Sequence, residues 1–363
     1  MNTQVGVIEG FYGEPWTWEE RGGYARFLKQ HGFSFYIYAP KADGFMRKKW
    51  REPLPKELEE KLSRLSAQCR AAGIEFGVGF SPYEIYLSPF DAGTKKLLQD
   101  RIDAFNRIGV DKFGLLMDDM KGDSPELARR QIEIVNWVAE RSTARQLVFC
   151  PTYYSLDPVL EKLFGKQPEG YLEQLGRELD KKVRLFWTGE LVCSKSYSEE
   201  HLRATAKLLG RQPFLWDNYP VNDGPRMCKF IHLRPMTGRP ASIGNWLSAH
   251  SVNPMNQPTL SKIPLLTLKF SYERGDVYRP EEAFLEAAEL ITCREMAKQL
   301  ENDLPNFMDR GLDQLNAEER GRMKEVYKPY LDSKVNLTGA AAREITDWLN
   351  DRYTVTKDLF LTQ

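Results

Sequence analysis

Up to about residue 275, short apolar runs alternate with longer segments in which apolar residues recur every three or four positions. The runs at 5–9, 33–39, 74–80, 113–117, 147–150, 183–187, 214–216 and 243–249 read as strands. Alternating with helical segments, such runs predict a parallel sheet with crossover helices. Between them, 54–72 places Leu58, Leu62, Leu65 and Cys69 on one helical face and stops at Gly73. Segment 95–108 repeats the pattern and stops at Gly109. Ser124 and Pro125 supply an N-cap and a first helical position for a helix with Leu127, Ile132, Val135 and Val138 on its apolar face. A further helix is expected over 198–209, ended by Gly210. Alternation of this kind predicts an α/β fold, and eight strands is the number of a (β/α)8 TIM barrel.

From about residue 280 the pattern is helical only. Segments 281–300, 317–331 and 340–361 are amphipathic, broken by Asp303-Leu304-Pro305 and Asn336-Leu337-Thr338. The expected organisation is a barrel over 1–275 followed by a C-terminal helical bundle over 276–363. An open doubly wound sheet competes with the barrel. It would gather its polar motifs at one switch point and often carry a Gly-rich phosphate turn. Here polar and aromatic motifs follow nearly every strand, and neither Gly-x-Gly-x-x-Gly nor a phosphate-loop pattern occurs.

Charge narrows the partners. The 51 basic and 51 acidic residues cancel, so nothing in the balance invites nucleic acid or an anionic membrane, and a neutral substrate fits more easily. The 8 Trp and 16 Tyr offer the flat faces that sugars stack on. Five cysteines, odd in number and without a Cys-x-x-Cys, argue against a disulfide framework or zinc knuckle and for a reducing compartment. Four histidines, His31, His201, His232 and His250, lack metal-ligand spacing and are expected at helix ends or on the surface, so neither a metal nor a cofactor is expected. No apolar run is long enough to span a bilayer. The N-terminus lacks a basic and an apolar region, so the expected location is cytoplasmic unless a leader was removed.

Candidate chemistry centres on Gly114-Leu115-Leu116-Met117-Asp118-Asp119, an apolar strand delivering two adjacent carboxylates. Like charges a few ångströms apart favour one ionised and one protonated carboxyl, a working acid–base pair. The residues alone leave other readings open. Asp119 could simply cap the next helix, both aspartates could ligate a metal in a hydrolase, or the barrel could bind sugar without catalysis. Other strand ends carry Glu9-Gly10-Phe11-Tyr12-Gly13, Tyr38-Ala39-Pro40-Lys41, Pro151-Thr152-Tyr153-Tyr154, and Trp216-Asp217-Asn218 with Asn222-Asp223.

Together with Asn253-Pro254-Met255, these motifs resemble, in order over about residues 5–270, glycoside hydrolase family 84. That family comprises β-N-acetylglucosaminidases and includes the protein O-GlcNAcases. The resemblance implies retaining hydrolysis of terminal β-linked GlcNAc in which the sugar's own 2-acetamido oxygen attacks the anomeric carbon and forms an oxazoline. Such substrate assistance is an exception to the two-carboxylate scheme. By position, Asp118 would hold the acetamido N–H and Asp119 would be the general acid and base. Lys41, Asp223, Asn253 and the Gly10 carbonyl would bond sugar hydroxyls, Asn218 would hold Asp118, Tyr154 would bond the acetamido oxygen, and Trp216 would pack on the acetamido methyl or the sugar face. Tyr153 stands where the family pattern has an acidic residue. The partner implied is a GlcNAc-containing glycoconjugate or glycoprotein. The aglycone stays open, and the helical tail leans toward a homodimer.

Overall fold

The structure, a computed structural model, describes residues 3–363 apart from the side chains of 360–362. The chain divides into two compact units that are not contiguous in sequence. One takes the chain through Gly10, then Thr17–Asn218 and Ser242–Val252; the other takes Phe11–Trp16, Tyr219–Ala241 and Asn253–Gln363.

The first unit holds a closed barrel of eight parallel strands in sequence order. They are β1 (Val5–Glu9), β2 (Phe35–Tyr38), β3 (Glu75–Phe80), β4 (Lys112–Leu116), β5 (Gln146–Cys150), β6 (Arg184–Trp187), β7 (Phe214–Asp217) and β8 (Ala249–Val252). Closure runs through Val5 opposite His250, Gly6 opposite Ser251 and Val7 opposite Val252. Phe35 of β2 meets Phe214 of β7 with ring centroids 5.5 Å apart. These strands are not neighbours, so the rings meet in the barrel interior. Toward the strands' N-terminal ends, the buried Lys112 ammonium is held by Gln4 Oε1 (2.9 Å), Gln146 Oε1 (2.9 Å) and Glu75 Oε2 (3.0 Å), and burial lowers its pKa. That polar floor leaves the opposite end, where every strand finishes, to carry the candidate motifs.

Among the described residues, seven α-helices belong to this unit: α1 (Trp18–Gln30), α2 (Lys56–Ala72), α3 (Ala92–Ile108), α4 (Leu127–Ala139), α5 (Pro158–Phe164), α6 (Tyr171–Glu178) and α7 (Glu199–Leu208). Thr17 starts α1 with a capping box shared with Glu20. From α1, Arg21 reaches back with Nε and Nη2 to both oxygens of Glu9 (2.9 and 2.7 Å), and the Tyr36 hydroxyl donates to the same carboxylate, so this buried charge is fully engaged.

Two local expectations change. The helix expected from Ser124-Pro125 starts at Leu127, because Leu127 N donates to the Ser124 carbonyl and closes a turn there instead. The last strand lies at Ala249–Val252, not 243–249. Ile243, Trp246 and Leu247 have helical spacing, and Ala241–Trp246 forms a 3-10 helix. The true strand carries His250 and Ser251, whose polarity hid it. Both are satisfied inside, His250 Nε2 donating to Asp217 Oδ2 (3.1 Å) and Ser251 Oγ to the Leu215 carbonyl (2.6 Å).

The second unit is built on α8 (Pro258–Arg274), α9 (Pro280–Ile291), α10 (Arg294–Pro305), α11 (Ala317–Tyr327), α12 (Thr338–Leu349) and α13 (Lys357–Thr362). The segment expected as one helix over 281–300 is two. Thr292 leaves the helical region at φ −122° and ψ −173°, and Cys293 N donates to Thr338 Oγ1 (2.8 Å) on α12. A tertiary partner ends the helix where the apolar spacing alone would carry it on. The loop Phe11–Trp16 is pinned by Asn256, whose Nδ2 donates to the Tyr12 and Glu14 carbonyls, both at 3.0 Å. Among the described residues, no helix is long and apolar enough to cross a membrane.

Candidate active site

Past Leu116 the chain leaves the sheet one ladder bond later, Met117 N still donating to the Cys150 carbonyl at 2.9 Å. The next two residues are the aspartates. Extended backbone would send neighbouring side chains to opposite faces. Asp119 instead has φ 55°, a left-handed conformation that aspartate tolerates better than most residues. Both carboxylates thereby face one ammonium: Lys41 Nζ lies 2.5 Å from Asp118 Oδ2 and 3.6 Å from Asp119 Oδ2. Lys41 follows β2 and reaches the pair across the end of β3.

The two acids differ in setting. Asp118's side chain is 8% exposed and Asp119's 24%. Asp118 Oδ1 is buried with no hydrogen-bond partner, an acceptor left open at a cost that a core normally avoids. Asp119 Oδ1 accepts from the Tyr154 hydroxyl at 3.3 Å. Beneath them, burial and the Asp118 carboxylate push the Cys150 thiol well above its usual range, so it stays a protonated packing group rather than a nucleophile.

A second cluster forms where β1 and β7 end. Trp216 is buried, its ring 5.0 Å from that of Phe186. A Cβ at Gly10 would lie 2.4 Å from Trp216 Cζ2, so only glycine lets the backbone pass there. Trp216 Nε1 donates to Asn218 Oδ1 (3.0 Å), and Asn218 Nδ2 donates to the Val192 carbonyl (2.9 Å). Asp118's bonding partner is Lys41, while Asn218 is turned to Trp216 and Val192. Thus Lys41 faces both aspartates and Tyr154 bonds Asp119, while Asn218 holds the Trp216 indole and the Gly10 backbone passes against that ring. Asp223 and Asn253 belong to the second unit, where Asp223 Oδ2 accepts from Tyr12 N (2.9 Å) and Asn253, directly after β8 in the chain, is buried.

Other residues were not foreseen. Thr152 Oγ1 donates to the Met117 carbonyl at 2.9 Å, and Tyr86, Gln131 and Tyr171 surround it. The sequence carried one signal: Gln131 interrupts the apolar stripe of α4 between Leu127 and Val135. Tyr153 anchors the neighbouring loop, its hydroxyl donating to the Gly165 carbonyl at 2.5 Å. The histidines correct an expectation in part: His31 and His201 stand at helix ends, though His201 is buried, whereas His232 and His250 are buried away from any α-helix end. Each buried one has a polar partner: His201 Nε2 accepts from Trp187 Nε1 (3.0 Å), His232 Nδ1 faces the Pro220 and Val221 carbonyls (3.0 and 2.9 Å), and His250 meets Asp217. Burial lowers the pKa of His201 and His232.

Comparison with known proteins finds relatives of this chain. Residues 5–309 match the family model NAGidase, described as β-N-acetylglucosaminidase. The protein O-GlcNAcases of Rattus norvegicus and Mus musculus are each 31% identical over 279 residues, 74% of this chain. The chain spans about 30% of the length of either. An O-GlcNAc hydrolase of Thermobaculum terrenum, solved as a point variant, superposes with a TM-score of 0.75 at 28% identity, covering 96% of this chain and 82% of that one. With the family model running from β1 into the helices of the second unit, and these relatives alongside it, the chain belongs to the β-N-acetylglucosaminidase family of glycoside hydrolase family 84.

Proposed function

We propose that the chain is a retaining exo-β-N-acetylglucosaminidase that hydrolyses terminal β-linked GlcNAc through an oxazoline. The observation that carries the reading is the buried, open acceptor Asp118 Oδ1 beside the more accessible Asp119. Asp118 Oδ1 accepts the acetamido N–H and aims the acetamido oxygen at the anomeric carbon. That oxygen attacks as the glycosidic bond breaks, Asp119 gives its proton to the departing oxygen, and the ring nitrogen's proton stays shared with the Asp118 carboxylate, which balances the charge of the oxazoline. Asp119 then takes a proton from water, the water oxygen opens the oxazoline at the same carbon, and two inversions retain the anomer. Tyr154 bonds the acetamido oxygen, Trp216 packs on the acetamido methyl with Asn218 fixing its indole, and Lys41 and the Gly10 carbonyl bond the sugar hydroxyls. The name shared by the rat and mouse relatives makes GlcNAc on a protein hydroxyl the first aglycone to try.

Kinetics on aryl β-glycosides of GlcNAc, GalNAc and glucose, with a thiazoline that mimics the oxazoline, test this. Turnover of GlcNAc, none of the glucoside that lacks the acetamide, and thiazoline inhibition are expected. Equal turnover of the glucoside would sink substrate assistance. A metal-dependent hydrolase would need its cation where the Lys41 ammonium already faces both carboxylates. Activity abolished by chelation and restored by metal would revive that reading.

A further inference from the structure

The loop bearing the aspartates is held from behind at both ends by side-chain hydroxyls. Thr152 Oγ1 donates to the Met117 carbonyl, just before Asp118, at 2.9 Å. The Tyr86 hydroxyl donates to the Lys121 carbonyl, two residues after Asp119, at 2.7 Å. The two hydroxyl oxygens are 3.3 Å apart, so the loop is fastened at one point. One residue on, Gly122 N donates to the Phe164 carbonyl (2.7 Å), and a Cβ there would lie 2.5 Å from the Tyr153 hydroxyl oxygen.

Counting protons sets the direction of these bonds. Thr152 N donates to the Tyr171 oxygen (3.2 Å), so Tyr171's single proton goes to Gln131 Oε1 (2.5 Å). That turns Gln131 Nε2 toward Thr152 Oγ1, to which it donates at 2.8 Å. Accepting there, the Thr152 hydroxyl directs its own proton to the Met117 carbonyl. The ring begins and ends at Thr152, and Thr152, Gln131, Tyr86 and Tyr171 are all no more than 1% exposed. A satisfied buried network rigidifies what it touches. This one touches the two carbonyls that bracket the aspartates, beyond the reach of the β4 ladder and around the left-handed residue Asp119.

Asp119 lies between the two fastened carbonyls in a left-handed conformation, and its side chain is 24% exposed against 8% for Asp118. We infer that Thr152, oriented by Gln131 and Tyr171, and Tyr86 beside it are positioning residues that set Asp119 against the leaving oxygen without touching substrate. The inference rests on the function proposed above.

Thr152→Val and Tyr86→Phe in the full chain, assayed on two β-GlcNAc substrates, test it. A 4-nitrophenoxide departs with little help from an acid, whereas an alkoxide like that of serine needs the proton. The expected result is a kcat loss of about 10- to 100-fold on the alkyl glycoside, as for a reacting group displaced by roughly an ångström, with KM little changed. On the nitrophenyl glycoside the loss is expected to be only about 3-fold, since general acid help matters little there. Thr152→Ser, which keeps the hydroxyl, should restore the alkyl rate. Because the ratio of the two rates does not depend on how much protein is folded, partial unfolding cannot imitate the result. Equal losses on both aglycones, or no loss, overturn the positioning role while leaving the glycosidase reading intact. A wild-type chain inert toward both substrates overturns both.

Discussion

Asp118 spends one oxygen on Lys41 and keeps the other bare, and its chemistry follows from that asymmetry. Asp118→Asn can present an N–H where an acceptor is needed, so kcat on aryl β-GlcNAc should fall by roughly 10²- to 10³-fold, comparable to deleting one transition-state hydrogen-bond partner. Steady-state kinetics on folded variant checks this. Lys41→Met leaves a buried carboxylate without its cation and should cost about 3 kcal/mol in chemical denaturation, the penalty for breaking a buried pair from one side. At this scale the aspartates, Lys41 and Tyr154 were legible, because their types are unusual beside strand ends. Gln131 and the buried histidines were not, since a polar residue's burial is decided by partners the local sequence does not name. Nor was the bonding of Asn218 to Trp216 and Val192, where the family resemblance implied Asp118.

Helix termini show both the reach and the limit of local signals. Ser198 caps α7 as its sequence suggests, accepting from His201 N at 3.1 Å, and Ser198→Ala should cost about 1 kcal/mol by denaturant titration. No local signal pointed to the cap of α8, which comes from another helix. Glu344 of α12 accepts from Thr259 N (2.7 Å) and Leu260 N (2.9 Å). Burial pushes its carboxyl up to about 7, against those N–H donors and the nearby Lys262 ammonium. Its folded value lies above its ordinary 4.5, so between those limits the native state binds more protons than the unfolded chain. Stability should therefore be greatest below pH 4.5 as far as this group is concerned, fall as pH rises to about 7, and then level off. The span is at most roughly 3 kcal/mol. Urea midpoints between pH 4.5 and 8 should show that decline in the wild type and lose it in Glu344→Gln.

Across the whole molecule, none of the five cysteines is joined in a disulfide. The melting temperature should accordingly be the same with and without reductant, a comparison that differential scanning fluorimetry makes directly. The barrel was legible because eight apolar segments interrupted by amphipathic helices leave few other ways to bury them. The compact units were not, for the first loop and the segment after β7 leave the barrel's unit and join the tail helices. By itself the sequence determined seven of the eight strands, the limits of several helices, the family motifs and which residue types crowd the strand ends, since these depend on neighbours within a few positions. Tertiary structure alone decided which aspartate is buried, that a lysine 77 positions away would face both, and that a ring of hydroxyls and an amide would hold their loop. Pairing and desolvation belong to groups brought together only when the barrel closes.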